Sequence, residues 1–207
     1  MKKLLILLAL FMLASCSTTY YLNYYKYSIE KCVRIADDDL GKLTYTTEDK
    51  EKETDVNISD DFFDLNISQI SSGLKITLNN KTKDEVLIDW DNSYFINEKG
   101  QKSVLVKSVS EFLNPPHKQK PAKLYDGTRL SEIVSLSEYV YKDEEKFLRF
   151  KPILGQEVFK NKSKIELNSK DYLDKTISIN VALIYKEENI NYKVDLKIND
   201  YEILEQE

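Results

Sequence analysis

The chain has 207 residues, of which 30 are Lys or Arg and 35 are Asp or Glu, for a formal net charge of −5 at pH 7. Because acidic and basic residues are interspersed, the sequence lacks the clustered Lys and Arg that bind nucleic acid, and no nucleic-acid partner is expected. Its 5 glycines are too scattered to build a phosphate-binding P-loop or a dinucleotide-binding fingerprint.

The N-terminal residues have the three regions of a secretory signal. Lys2 and Lys3 precede an apolar run at residues 4–13, and small residues follow it. A membrane-spanning helix needs about 20 apolar residues, so this run is too short to remain as a span. We therefore predict that residues 1–15 are a signal-peptide helix that is cleaved off.

The end of this segment, Leu13, Ala14, Ser15 and Cys16, resembles the lipobox of bacterial lipoproteins. The resemblance implies that the thiol of Cys16 is alkylated with diacylglycerol, that cleavage occurs before Cys16, and that the mature chain begins there. Two acyl chains make membrane attachment stable, whereas one is marginal. The alternative is an ordinary secretory signal with an incidental cysteine.

Ser17 follows the lipobox. The resemblance to lipoproteins implies transfer to the outer membrane when this residue is not Asp. The expected location is therefore the bacterial cell envelope, and the outer membrane if the organism has one. The expected partners are the membrane, through the lipid anchor, and another envelope protein. No cofactor is expected apart from the covalent lipid.

Tyrosines crowd the next segment, residues 16–55. Tyr is amphipathic and sits well at the headgroup level of a bilayer. A lipidated tether would therefore place four side chains at the membrane: Tyr20, Tyr21, Tyr24 and Tyr25. Alternatively, Tyr25, Tyr27 and Ile29 alternate as the first strand of the domain. The highly charged residues 48–53 are predicted to form a solvated loop.

The third segment, residues 56–207, is predicted to be a β domain, because its hydrophobic period is two from Phe62 onward. Residues 74–78 and 86–90 are predicted to pair across a polar turn. A second hairpin is expected from 94–96 and 103–106, with Gly100 taking the positive φ of the turn.

The second half of the chain continues this pattern. Short strands are predicted at 132–136, 147–150 and 164–167, because alternation fits this half better than a helical period. The strongest hairpin signal comes last, where residues 177–185 and 192–198 flank a turn at 187–189.

Short strands separated by polar turns predict an antiparallel β-sandwich, which is favoured over a barrel. Residues 76–82, residues 88–91 and the turn at Gly100 resemble immunoglobulin-like domains of bacterial surface lipoproteins. The cysteine pair of true immunoglobulin domains is absent, so the relation is architectural. Cys32 has no intramolecular partner and is expected to be a small buried hydrophobe, or else to form an intermolecular disulfide.

Few residues suggest catalysis, and no catalytic residue or metal site is predicted. His117 is the sole histidine, in a proline-bounded loop, and no nucleophile-elbow motif accompanies it. Asp89 and Asp91 share one strand face, but an EF-hand register fails because Tyr94 stands where glycine is needed. We expect a solvated outer face there, with Trp90 in the core rather than serving as a sugar platform.

These observations predict a noncatalytic binding or structural module, anchored by lipid and contacting its partner through loops or a sheet edge. The alternative is a hydrolase of envelope polysaccharide that uses surface carboxylates such as Asp89 and Asp91.

Overall fold

The computed structural model describes residues 19–36, 39–49, 54–70, 73–107, 118–142, 148–150, 153 and 160–206. The four lipobox residues, Ser17 and His117 lie outside these ranges, so signal cleavage and lipidation stay predictions. Among the residues described, no helix is both long and apolar enough to cross a membrane.

Strands dominate the described part of the chain. They are β1 (Tyr20–Ile35), β2 (Thr44–Asp49), β3 (Thr54–Ser59), β4 (Phe63–Ile70), β5 (Gly73–Asn80), β6 (Val86–Ile96), β7 (Lys102–Val106), β8 (Ala122–Leu124), β9 (Arg129–Leu136), β10 (Val140–Lys142), β11 (Leu148–Phe150), β12 (Thr176–Tyr185) and β13 (Glu188–Gln206). A short 3₁₀ helix, Ser137–Tyr139, follows β9, and one α-helix, α1 (Lys162–Tyr172), precedes β12.

Eleven of these strands form one sheet in the order β1-β13-β12-β6-β7-β9-β5-β4-β3-β2, with β8 paired to β6. All pairings are antiparallel, and β10 pairs with β11 separately. The two terminal strands of the order, β1 and β2, approach each other, so the sheet is nearly closed. The predicted class, mainly antiparallel β, is confirmed.

The interior is filled by alternate side chains of these strands, as half-buried antiparallel strands require. Trp90 is fully buried, so the prediction that it belongs to the core is confirmed. Also in the core, the ring of Phe63 meets Tyr185 and Tyr192 edge-on, at centroid distances of 5.7 and 6.4 Å. Such edge-to-face pairs add to the stabilisation that burial alone provides.

The β12–β13 hairpin is confirmed, but its turn is shorter than predicted. Lys186 and Glu187 have φ of 51° and 69°, which is the geometry of a two-residue type I′ turn. Glu188 and Asn189, predicted in the turn, pair instead with Tyr185 and Ile184. β13 buries alternate residues from Ile190 to Ile198, as the pattern indicated, whereas β12 also buries Asn180 and Ala182 between its core-facing residues.

The predicted pairing of 74–78 with 86–90 is wrong, although both strands exist. β5 lies between β4 and β9, whereas β6 pairs with β12, β7 and β8. Side-chain bonds hold the connection between them: Asn80 Nδ2 donates to the carbonyl of Asp84 at 2.8 Å, and Thr82 Oγ1 accepts from Asp84 N at 3.1 Å. Such local bonds replace a hairpin ladder and let the chain cross to the other half of the sheet.

The second predicted hairpin is confirmed. Tyr94 pairs with Val104 and Ile96 with Lys102, and Gly100 has φ of 77°, a left-handed conformation that favours glycine.

Residues 164–167, predicted as a strand, belong to α1. Asn161 caps the helix by accepting a hydrogen bond from Lys164 N at 3.3 Å. Only Ile165 and Ser169 are buried along it, one helical turn apart, and charged residues fill most other positions. A helix that buries so narrow a stripe gives little periodic signal in the sequence.

The predicted loop at 48–53 is wrong at its start, since Glu48 and Asp49 end β2. All six β2 residues are exposed. A strand without a buried face has no alternation to reveal it.

Candidate functional site

A shallow groove of about 510 Å³ crosses the outer face of β3, β4, β5 and β9. An adjoining concavity of about 300 Å³ extends it toward the far end of the same strands. We call the two together the polar groove. Its lining residues are Asp55, Asn57, Ile58, Ser59, Asp64, Leu65, Asn66, Ser68, Ile70, Lys75, Thr77, Asn79 and Arg129.

The strand register arranges the outward side chains in three rows that run across β2, β3, β4, β5 and β9. The first row is Thr44, Ser59, Asp64, Asn79 and Arg129; the second is Thr46, Asn57, Asn66, Thr77 and Ser131; the third is Glu48, Asp55, Ser68, Lys75 and Ile133. Neighbours within a row lie about 4.8 Å apart across the strands. Ile133 is the one apolar member of the three rows.

A sequence repeat creates the centre of this pattern. The pentapeptides 55–59 and 64–68 both read Asp-x-Asn-x-Ser, and they lie on adjacent antiparallel strands. Each Asp therefore faces a Ser, and Asn57 faces Asn66. The contacts are correspondingly symmetric: Ser59 Oγ and Ser68 Oγ each donate to the facing aspartate at 2.5 Å, and Asn66 Nδ2 donates to Asn57 Oδ1 at 2.9 Å.

The Asp64 carboxylate has further partners. It accepts hydrogen bonds from Lys81 Nζ at 2.8 Å and from Asn79 Nδ2 at 3.1 Å. Partial burial alone would raise the pKa of Asp64, but the bonds from Lys81, Ser59 and Asn79 together lower it below its ordinary value. This carboxylate is therefore ionised and neutralised within the protein at neutral pH.

The β5–β9 side of the polar groove is cationic. Lys75 and Arg129 are exposed and line the same concavity. Neither side chain makes a hydrogen bond or an ion pair with the residues that the structure describes. The groove thus combines hydrogen-bonded carboxylates, bridging amides and hydroxyls, and two exposed cations.

A second groove lies where the β6–β7 turn meets α1 and the 3₁₀ helix, and we call it the loop groove. Its two concavities, of about 350 and 390 Å³, share Glu98, Lys99 and Tyr172. Asn97 holds the turn, because its Oδ1 accepts from Lys99 N and Gln101 N at 3.0 and 2.9 Å. The two grooves have no lining residue in common.

Asp89 and Asp91, the sequence-predicted carboxylate pair, are bound to their surroundings. The Asp89 carboxylate accepts from Asn92 N and Nδ2 at 3.3 and 2.7 Å, and Asp91 Oδ1 accepts from Gln119 N at 3.0 Å. Within the described ranges, no three His, Cys, Asp or Glu side chains are grouped to hold a metal ion. The geometry gives these two carboxylates a local structural role.

The predicted membrane-contacting tyrosines have different environments in β1. Tyr25 is 1 % exposed, its ring lies 5.5 Å from that of Tyr172, and its hydroxyl accepts from Asn23 Nδ2 at 3.0 Å. The prediction of membrane contact is therefore wrong for Tyr25, because its side chain is buried in the core. Tyr20 is exposed and Tyr21 and Tyr24 are half-buried, and for these three membrane contact stays a prediction.

Cys32 is buried against the core as a free cysteine. Burial raises the pKa of its thiol to about 11, with a smaller contribution from the nearby Asp195 carboxylate. The prediction of a small buried hydrophobe is confirmed.

Sequence reasoning missed the polar groove. Polar residues at alternate positions are expected on the outside of any antiparallel strand. The alternation therefore does not distinguish Asp64, Lys75 and Arg129 from ordinary surface residues. The signal that was available is the repeated Asp-x-Asn-x-Ser pentapeptide. Comparison of the chain with protein families, with curated proteins and with solved structures found no match.

Proposed function

We propose that this protein is a lipid-anchored, noncatalytic binding module of the bacterial cell envelope, and that the polar groove is its ligand site. The observation that carries the proposal is the paired Asp-x-Asn-x-Ser sequence, whose symmetric polar network lines both concavities of the groove, the larger of about 510 Å³. That volume is within the range of known ligand sites, about 300–1,000 Å³.

A sandwich-like division of the sheet supports this placement, and the immunoglobulin-like architecture is part of the proposal. One half holds β1, β13, β12 and β6, and the other holds β9, β5, β4, β3 and β2. β7 links them, pairing with β9 only at Leu105 with Leu136 and Val106 with Ser135. The polar groove lies on the outer face of the second half, where a ligand can reach it.

The state of the groove carboxylates supports a noncatalytic role. A general acid must hold its proton near the working pH, whereas the pKa of Asp64 is lowered by its hydrogen-bond donors. Asp55 is buried and accepts a hydrogen bond from Ser68. Both carboxylates are suited to organising the groove.

The lipid anchor is tested by Cys16→Ala. We expect the variant to lose incorporation of labelled palmitate and to remain soluble or unprocessed, because the acylated thiol is gone. Cys32→Ala is the matched control and should label as the natural chain does. Lipid labelling that persists in Cys16→Ala would overturn the anchor.

The ligand site is tested by photo-crosslinking in intact cells. A photoreactive residue replaces exposed Ser131, which faces the polar-groove residue Thr77 across the strands, or Lys99 in the loop groove, or Lys83 outside both. We expect a discrete crosslinked species from position 131 and none from position 83. Crosslinks from position 99 alone would place the site in the loop groove, and none from any position would contradict the binding module.

A further inference from the structure

We propose that the ligand of the polar groove is a glycan carrying an oxyanion, with its anionic group at Arg129 and Lys75 and its hydroxyls over the amide and hydroxyl rows. The inference rests on the proposed function, since it names the ligand class of that same groove. Four features of the groove support it.

The groove cannot bind an extended peptide by strand addition. β4 pairs with β3 and β5, and β5 pairs with β4 and β9, so the backbone groups at the centre of the groove are already used in the sheet. β-Augmentation requires an exposed sheet edge. Recognition in this groove must therefore be made by side chains.

The outward side chains suit hydroxyl groups better than apolar ones. Asn57, Asn66 and Asn79 carry amides that donate and accept, and Ser59, Thr77 and Ser131 carry hydroxyls with the same double capacity. Their spacing across the strands presents a polar group about every 4.8 Å. A sugar, which offers a donor and an acceptor at each hydroxyl, matches this spacing of polar groups.

The charge distribution selects an anionic sugar. The charge of Asp64 is offset by its ion pair with Lys81, and Asp55 is buried and accepts a hydrogen bond from Ser68. Arg129 and Lys75, in contrast, have no such partner within the described ranges and line one concavity.

The chemistry of the two cations, which line the same concavity, suits an oxyanion. Arg129 presents a planar fork that binds a carboxylate, sulfate or phosphate bidentately, and Lys75 adds a point charge. Asn57 and Asn66 line the same concavity, so an anion held at this side would keep the remaining hydroxyls over the amides.

Calorimetric titration of the full-length lipidated protein in detergent tests the inference. The probes are trigalacturonate, a sulfated chondroitin disaccharide and neutral galactotriose. We expect one or both anionic probes to bind at least tenfold more tightly than galactotriose, and more weakly as salt is raised, because the cations are exposed. The carboxylated and sulfated probes distinguish the two sources of the oxyanion.

Variants identify the residues. Arg129→Ala and Lys75→Ala should each weaken binding of the anionic probe about 10- to 100-fold, the loss expected for a charge-assisted hydrogen bond. Arg129→Lys should lose affinity as well, because the fork is gone. Lys99→Ala in the loop groove is the control of equal charge change and should bind normally. Unchanged urea midpoints establish that the variants are folded.

The outcomes separate this inference from the proposed function. Equal binding of the neutral and anionic probes, or full affinity in Arg129→Ala, would contradict the proposal that the ligand carries an oxyanion. Failure of all three probes, together with a crosslink from position 131, would also overturn the glycan while the binding module stands. Failure of all three probes, with no crosslink from position 131 or from position 99, would overturn both proposals.

Discussion

Asp60 is the most heavily hydrogen-bonded carboxylate of the interior. Its side chain is fully buried and accepts from Arg34 Nη1 at 2.8 Å, from the Tyr192 hydroxyl at 2.5 Å, and from the backbone N–H groups of Phe62 and Phe63, both at 2.9 Å. Arg34 also donates to two carbonyls of the segment before β2. One buried ion pair thus ties β1, the β3–β4 connection and β13 together.

We predict that Asp60→Ala lowers the free energy of unfolding by about 3–5 kcal/mol, because it leaves a largely buried guanidinium without its counter-charge. Tyr192→Phe removes one hydrogen bond to the same carboxylate and should cost less, about 1.5–3 kcal/mol. Urea denaturation measures both. A loss in Tyr192→Phe as large as that in Asp60→Ala would contradict the central position given to the ion pair.

Buried acidic groups also predict how stability depends on pH. Burial raises the pKa of Cys32 to about 11. Burial is also the main cause that raises the pKa values of Tyr25, Tyr27 and Tyr192 above their ordinary range. The folded state therefore holds these protons more tightly than the unfolded state. The contribution of these groups to the free energy of unfolding is fully present below their ordinary pKa values. It is lost as the pH rises above those values.

We accordingly expect the free energy of unfolding to fall above about pH 9, where unfolded Cys ionises, and more steeply above about pH 10, where unfolded Tyr ionises. Urea titrations between pH 7 and 11 measure this, and Cys32→Ala should flatten the first part of the decline. Stability that stays constant up to pH 11 would contradict the burial of these groups.

At the scale of the elements, the most unusual strand is β6, which contains a β-bulge. Its register against β12 shifts between Asn180, which faces Tyr94, and Ala182, which faces Asp89. Ser93 fills the gap, since its Oγ accepts from Ala182 N at 3.0 Å and donates to the Asp89 carbonyl at 2.7 Å. Hydrogen bonds of the Ser93 side chain therefore replace a backbone hydrogen bond that the pairing of β6 with β12 lacks there.

We predict that Ser93→Ala destabilises the protein by about 1–3 kcal/mol, the cost of leaving a buried N–H without an acceptor. The amide of Ala182 should also exchange its hydrogen faster, which NMR can follow. Ser178→Ala is the control, because Ser178 bonds the partly exposed Asp195 and its loss should cost less. Equal effects of the two substitutions would show that the bulge does not depend on Ser93.

For the molecule as a whole, the N-terminal strand is part of the fold. β1 pairs with β13 from Tyr20 with Gln206 to Ile35 with Asn191, with two irregularities. It also contributes Tyr25, Tyr27 and Cys32 to the core. The lipid, if attached at Cys16, would therefore lie only a few residues from the folded sheet.

We predict that a chain beginning at residue 39 does not unfold cooperatively, because deletion of β1 exposes the edge of β13 and removes the Arg34 partner of Asp60. A chain beginning at residue 19 should fold and unfold cooperatively in urea. Cooperative unfolding of the shorter chain, with a midpoint equal to that of the longer one, would show that β1 is dispensable.

The sequence by itself determined most strands and the core face of each, because a buried strand must alternate polar and apolar residues. Trp90 and the β12–β13 hairpin follow from that local rule, and burial of Cys32 follows from the usual behaviour of a free cysteine. The same rule could not identify β2, because all of its residues are exposed, or α1, because it buries only Ile165 and Ser169. Lipidation at Cys16 stays a prediction of the sequence.

Tertiary structure alone decided which strands pair and which outward residues meet. β5 and β6 are consecutive yet lie in different halves of the sheet, since pairing depends on the packing of the whole core and not on local pattern. For the same reason Lys75 reaches the Asp-x-Asn-x-Ser strands only through the register of β4 with β5, and Arg129 only through the further register of β5 with β9. Alternation in the sequence gives the face of a residue, whereas its neighbours across the strands are set by long-range pairing.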